Sequence, residues 1–525
     1  MADETCRAFD ADDVAPALDK NKLNRFVVGA DATPRAMSAA EVKALGDAVS
    51  TLLFAKGKFP RTAEQTVDMI KAGAPANSAL KKQRSFVLAE GHEGPNTLPK
   101  TQAAVVAGNL RFVVTLGQTP EGPDVLVSAS HPKQPGGIEV MAWDRTVGGF
   151  NWYRSTGSQA MWMFAGNSRD ALRDTSRGKG PFESHPSGSL LMKELRTPWV
   201  HWHSAAAPMR DDILPANDVR RTHPWFTKKE PAGAIPFEFE AARPSMERWA
   251  KARFAELRGT GGTVARPKQI VEHIVSTPTV NLHSTHVTNA GLSPSDQLDL
   301  PTGFFVDVDG FAGELGFDAP PQFQVSGKIY ANCLTKFDVQ LQGAGFKRKG
   351  DTHFCFVIPE RAFEDQVALR EAMSIGLVSK RLAACLLTVD PWNPVFSARR
   401  RSLLKHCPPT ATISNGSSSF SQDMANRILD AAKTGPAGTP EAEFAKRWNV
   451  GAGFATEFNK ILNAYYAKVQ ERLKTQSGFD AYFRLAETRR AAFKQMPIAE
   501  FPLLLPTTNV PIAPRRMLRD GTVEG

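Results

Sequence analysis

The chain is expected to be an α+β protein, with a central antiparallel β meander or barrel-like region flanked by N-terminal helices and a helical C-terminal region. Apolar residues recur at helical spacing between residues 38 and 72, alternate with period two between 84 and 164, and return to helical spacing beyond Thr439. Tight-turn residues punctuate the middle stretch, and consecutive short strands joined that way form a meander. Four regions follow: 1–82 helical, 83–260 antiparallel β, 261–433 α+β, and 434–525 helical with a Pro-rich tail from Phe501.

Ser38-Ala39-Ala40-Glu41 has the form of a capping box, with Met37 and Val42 placed to staple it. Val42, Leu45, Val49, Leu52 and Leu53 then repeat on one helical face, and a second amphipathic helix is expected over 63–72. Short strands are expected over 85–89, 110–116, 125–128, 138–143, 150–153 and 159–164, with Gly148-Gly149 as a tight hairpin connection. Beyond Thr260 the pattern mixes: 304–308, 329–341 and 354–358 read as strands and 364–376 as a helix. Thr439-Pro440-Glu441 supplies an N-cap with proline at the first helical position, and 441–474 and 478–494 read as helices.

Composition removes several function classes. Hydrophobic residues at 42% and charged residues at 22% of 525 positions argue against a disordered chain or a coiled coil. No apolar run reaches the roughly 18–20 residues of a membrane span, so none is expected. The net charge of +10 is dispersed apart from Arg399-Arg400-Arg401 and Arg515-Arg516, and no basic stripe with base-stacking aromatics accompanies it, so nucleic acid is not an expected partner. Cys6, Cys333, Cys355, Cys385 and Cys407 contain no Cys-x-x-Cys pair, which removes zinc ribbons and covalent c-type haem. The polar start Met-Ala-Asp-Glu-Thr-Cys reads as a mature exported N-terminus behind an added methionine. A periplasmic or secreted origin with up to two disulfides is therefore expected, and buried thiols in a cytoplasmic protein are the alternative.

The chemistry concentrates between Glu183 and Val287, which hold seven of the eleven histidines. In a strand, residues two apart share a face, so His201 and His203 can offer two imidazoles to one ion while Trp202 points away. His185, His283 and His286 are the candidate further ligands, and Glu194 is a candidate carboxylate. Seven of nine tryptophans fall between Trp143 and Trp249, so Trp162, Trp199 and Trp202 are candidates for a substrate wall. His201-Trp202-His203 resembles the opening of the first copper motif of multicopper oxidases, but over three residues only. Ser204 stands where that family has glycine, and His406-Cys407 is followed by Pro408 with no later histidine. The cupin pattern also fails, because Ala205-Ala206-Ala207-Pro208 occupies the place of its glutamate. No Gly-x-Ser-x-Gly elbow and no phosphate loop occurs.

The expectation is a metal-dependent enzyme with a transition metal ion (Fe, Cu or Zn) on these histidines, oxidoreductase chemistry ahead of hydrolysis, and a small-molecule or polymeric organic substrate. The alternatives are an exported binding protein with structural histidines and a haem protein with a histidine axial ligand, which leaves no sequence signature.

Overall fold

The computed structural model describes residues 18–89, 110–183, 185, 187–190, 214, 216–230, 237–257, 262–278, 280–285, 292–307, 312–343, 346–351, 355–495 and 506–525. The chain divides into two compact units, Met1–Arg253 and Phe254–Met496 with Leu505–Gly525.

In the first unit, helices α1 (Ala39–Ala44), α2 (Ala48–Leu52) and α3 (Ala63–Gly73) precede the sheet. The capping box is present: the Glu41 N–H donates to Ser38 Oγ, and the Ser38 N–H donates to Glu41 Oε2. The single apolar stripe from Val42 to Leu53 is nevertheless split into two helices. Gly46 presses against the β-hairpin turn, where a Cβ would lie 2.5 Å from Asp144 Oδ1, and Asp47 starts α2 by accepting from the Val49 and Ser50 N–H groups. Helix α3 begins at the Thr62 N-cap, as its periodicity implies.

The sheet strands are β1 (Asn24–Arg25), β2 (Arg35–Ala36), β3 (Gln83–Ala89), β4 (Leu110–Leu116), β5 (Val125–Ala129), β6 (Ile138–Asp144), β7 (Gly149–Thr156) and β8 (Met161–Asn167). They are ordered β2-β1-β8-β7-β6-β5-β4-β3. From β3 to β8 each strand pairs antiparallel with the next, which is the expected meander. Two features differ from the sequence expectation. Among the described residues the sheet is open, with β2 and β3 at its edges, and β1 adds in parallel to β8, so the sheet is mixed. The β6–β7 connection also spans four residues, 145–148, because Gly149 already pairs with Asp144. Gly148 supplies the left-handed residue at φ +61°, and Asp144 Oδ1 accepts from the Thr146 and Val147 N–H groups inside the turn.

Both sheet faces are covered. On one face Phe86, Met141, Trp143, Trp152, Phe182 and Trp249 pack together. On the other, the Phe54 ring lies 5.4 Å from Tyr153 and 5.3 Å from Trp162. Near this second layer Asp47 Oδ2 accepts from Tyr153 Oη at 2.5 Å and from Asn151 Nδ2 at 2.8 Å, and the same amide donates to Asp144 Oδ2.

In the second unit, short strand pairs alternate with helices: α4 (Pro267–Val275), β9 (Val280–His283), β10 (Gln297–Leu300), β11 (Phe323–Ser326), α5 (Gly327–Lys336), β12 (Ile358–Arg361), α6 (Phe363–Ser374) and α7 (Lys380–Leu387). Then come α8 (Pro440–Trp448), α9 (Phe454–Leu473), α10 (Gln476–Lys494) and a terminal hairpin of β13 (Arg516–Met517) and β14 (Val523–Glu524). One apolar core runs from Phe254 to Met517, so residues of the 261–433 and 434–525 regions pack together.

Three sequence expectations are corrected here. Residues 329–341 are largely helix α5, because Ser326 caps it and the buried Tyr330, Cys333 and Leu334 share a helical face. Thr302–Phe304 is a turn of 3₁₀ helix where a strand was expected over 304–308. The stretch 441–474 is two helices, interrupted between Asn449 and Gly453 around Gly451 at φ +71°. The helix expected over 364–376 is α6, and Thr439 caps α8 with Pro440 in its first turn. Cys333, Cys355, Cys385 and Cys407 are free thiols, and burial pushes the first three and Cys407 above the usual thiol range. Among the described residues no helix is long and apolar enough to cross a membrane.

Candidate functional site

Strand register brings the chemistry of the first unit onto one sheet face. Ser128, Glu139, Arg154 and Met163 form one cross-strand row, and Leu126, Met141, Trp152 and Gly166 form the next. Arg111 Nη1 donates to Glu139 Oε2 at 2.8 Å, and Arg154 Nη2 lies 3.3 Å from Oε1. Desolvation works against ionisation of Glu139, but the two guanidinium groups, with His185 adding to them, outweigh it and hold the carboxyl at about 2. Glu183 moves the other way: burial raises it, and Arg154 only partly opposes the shift. Two carboxyl groups that feel the same arginine are thus shifted in opposite directions.

His185 stands over this face. Its ring centroid is 4.4 Å from that of Trp152, and its Nδ1 lies 3.0 Å from the Ser189 carbonyl oxygen. A carbonyl only accepts, so Nδ1 carries the proton. This is the way metal-ligating imidazoles are oriented, by a hydrogen bond from the other ring nitrogen.

The remaining predicted residues separate. His201, His203, His286, Trp199 and Trp202 lie outside the described residues, as does Glu194. Trp162 is fully buried and donates from Nε1 to the Pro60 carbonyl at 2.7 Å. Its cross-strand partner is Ser155, whereas Arg154 pairs with Met163, so Trp162 is on the face opposite His185 and the aromatic floor beneath His185 is Trp152. His283 belongs to the second unit. It ends β9, and its Nδ1 lies 2.9 Å from Glu360 Oε2 on β12. Gly303 backs that carboxylate so closely that a Cβ would sit 2.7 Å from Oε2.

Three other histidines also meet carboxylates. His223 Nε2 is 3.0 Å from Glu64, His273 Nδ1 is 2.8 Å from Asp365, and His406 Nε2 is 3.0 Å from Glu441. His273 is part of a buried ionic group. Arg361 pairs with Asp307, lies 3.6 Å from Asp365, and donates to the His273 and Ile274 carbonyls. Among the described residues, no three His, Cys, Asp or Glu side chains are arranged to hold an ion.

Sequence reasoning missed Arg111, Glu139, Arg154 and Glu183. A signal existed for one of them, since Glu139 sits between Ile138 and Val140 in an otherwise apolar strand. The arginines join it only through register. Comparison with protein-family models, with curated proteins and with solved structures finds no match to this chain.

Proposed function

We propose that the chain is a metal-dependent enzyme whose ion is held by His185 together with His201 and His203, over the charged face of the first unit's sheet. The observation that carries this reading is the Nδ1 hydrogen bond of His185 to the Ser189 carbonyl, which orients the ring in the way metal-ligating imidazoles are oriented. Imidazole suits iron, copper and zinc alike. The metal would supply a polarised water or dioxygen, while Trp152 gives an apolar surface for an organic substrate, Glu139 a fixed negative charge, and Glu183 a group able to carry a proton.

Elemental analysis of the purified protein, with an optical spectrum, tests the reading. About one equivalent of a transition metal is expected in the parent, and H201A/H203A is expected to lose it without a large fall in Tm. H185A is expected to weaken retention by roughly 10- to 100-fold. A Soret band would instead assign haem.

A second reading, a binding protein with structural histidines, is favoured by the carboxylate pairs of His223, His273, His283 and His406. It predicts metal-free protein and a marked loss of stability in H201A/H203A, since buried polar partners left unmade are worth roughly 1–3 kcal/mol each.

A further inference from the structure

The second unit contains an open groove of about 370 Å³ lined by Trp392, Arg399, Glu443, Met517, Arg519 and Asp520, drawn from three distant stretches of chain. Its walls are stapled together. Asn393 Nδ2 donates to the Met517 carbonyl at 2.9 Å, and the Met517 N–H donates back to Asn393 Oδ1 at 3.0 Å, which fixes the β13–β14 hairpin to the loop before Arg399. That loop is itself held in an unusual conformation. Asp390 sits at φ +55°, and its carboxylate accepts from Asn393 Nδ2 at 2.7 Å and Ser397 Oγ at 2.5 Å.

The acids and bases of the groove are not equally engaged. Asp390 is taken up by Asn393 and Ser397. Glu443 accepts from the Asp390 N–H and from Arg399 Nη2, both at 3.3 Å, and Asp520 accepts from the Thr522 N–H and hydroxyl. On the basic side Arg399 also donates to the Gly438 carbonyl, and Arg516 Nε meets its cross-strand partner Glu524 at 2.6 Å. Arg519 is exposed and pairs with no carboxylate among the described residues. Beside it lies the half-buried Arg447, whose Nε is buried without a hydrogen-bond partner. Internal donors have satisfied the carboxylates, while the Arg519 guanidinium remains unpaired at the groove among the described residues.

We propose that this groove binds a small ligand through an oxyanion, phosphate or carboxylate, gripped by Arg519, with its apolar part against Trp392. A guanidinium presents two parallel N–H groups that match either oxyanion. The hairpin carrying Arg519 is locked to the loop preceding Arg399 before the ligand arrives, so little ordering opposes binding. The site is independent of the metal centre proposed for the first unit.

Titration calorimetry on the full chain at low ionic strength, with inorganic phosphate, pyrophosphate and citrate as probes, tests it. Saturable one-to-one binding of at least one probe is expected. R519Q should weaken it at least roughly tenfold and R519E should abolish it, in both cases with the ligand-free Tm unchanged because Arg519 is exposed. Binding of phosphate or pyrophosphate alone assigns a phosphate ligand, and binding of citrate alone assigns a carboxylate. No saturable heat from any probe up to about 10 mM, or affinity in R519E equal to that of the parent, overturns the proposal.

Discussion

In the first unit the buried carboxylates Asp47 and Asp144 are satisfied by main-chain N–H groups and by the neutral side chains of Asn151 and Tyr153. In the second unit the buried side chains include Arg361, Arg400, Arg489 and Arg490, and they donate mostly to main-chain carbonyls. Arg400 reaches Asn393 and Pro394, Arg489 reaches Phe304 and Trp392, and Arg490 reaches Val357. Burial lowers each of these last three to about 10, so all remain charged at neutral pH.

The difference follows from how each unit spends its main chain. A broad sheet pairs its own carbonyls, and only turns and helix starts need help. A unit assembled from two-strand ladders and long loops leaves many buried carbonyls to satisfy, and one guanidinium with five donors serves several at once. Two of these arginines are also matched by carboxylates, Arg361 by Asp307 and Asp365 and Arg490 by Glu487, which makes the second unit's interior sensitive to charge.

That contrast can be broken most severely at Arg361. Arg361→Met leaves Asp307 and Asp365 without their shared cation and two carbonyls without a donor. A loss of about 3–5 kcal/mol is expected by chemical denaturation, confined to the transition of the second unit. Retention of parental stability would show that the ionic group is dispensable.

An intermediate effect is expected from pH. Desolvation raises Asp351 to about 7, although the Phe356 N–H and Arg490 favour its charged form. The folded protein therefore holds a proton that the unfolded chain releases near pH 3.9. Stability from this group is fully present below about pH 4, declines by ~1.4 kcal/mol per pH unit as pH rises, and levels off above about 7. Asp351→Asn should flatten this slope, and parallel slopes in parent and variant would exclude Asp351 as its source.

The smallest effect belongs to the first unit. Tyr153→Phe removes one donor to Asp47, which keeps Asn151 and the Val49 and Ser50 N–H groups. A loss of about 1–2 kcal/mol is expected in thermal melts. A loss as large as that of Arg361→Met would mean that the two interiors are not built differently after all.

The same contrast explains what could be read from the amino acids. The strands from 85 to 164 were legible because a meander makes its pairings between neighbours in sequence, so period two and turn residues are sufficient information. The parallel addition of Asn24–Arg25 to β8 was not, since nothing local marks a partner 139 residues away. Helix α5 was misread as a strand because Ile329, Tyr330 and Val339 favour extended structure locally, while the Ser326 cap and a helical buried face decide the outcome. At the candidate site, His185 was legible as an isolated histidine, but its Trp152 floor and the Arg111–Glu139–Arg154 row depend on register. The group of Arg361, Asp307, Asp365 and His273 gathers residues nearly a hundred positions apart, with no spacing to announce it.

The two-residue strand β1 also bears on the order of assembly. Without it, β8 would present a row of unpaired peptide groups at the rim of a long, apolar sheet, which is a template for joining other chains. Its cover is translated before the meander exists and can dock only after β8 has been made, a closure over a large sequence separation and therefore a slow one. During synthesis the bare rim of β8 is the surface on which a chaperone has most to do, and on which two nascent copies would first adhere.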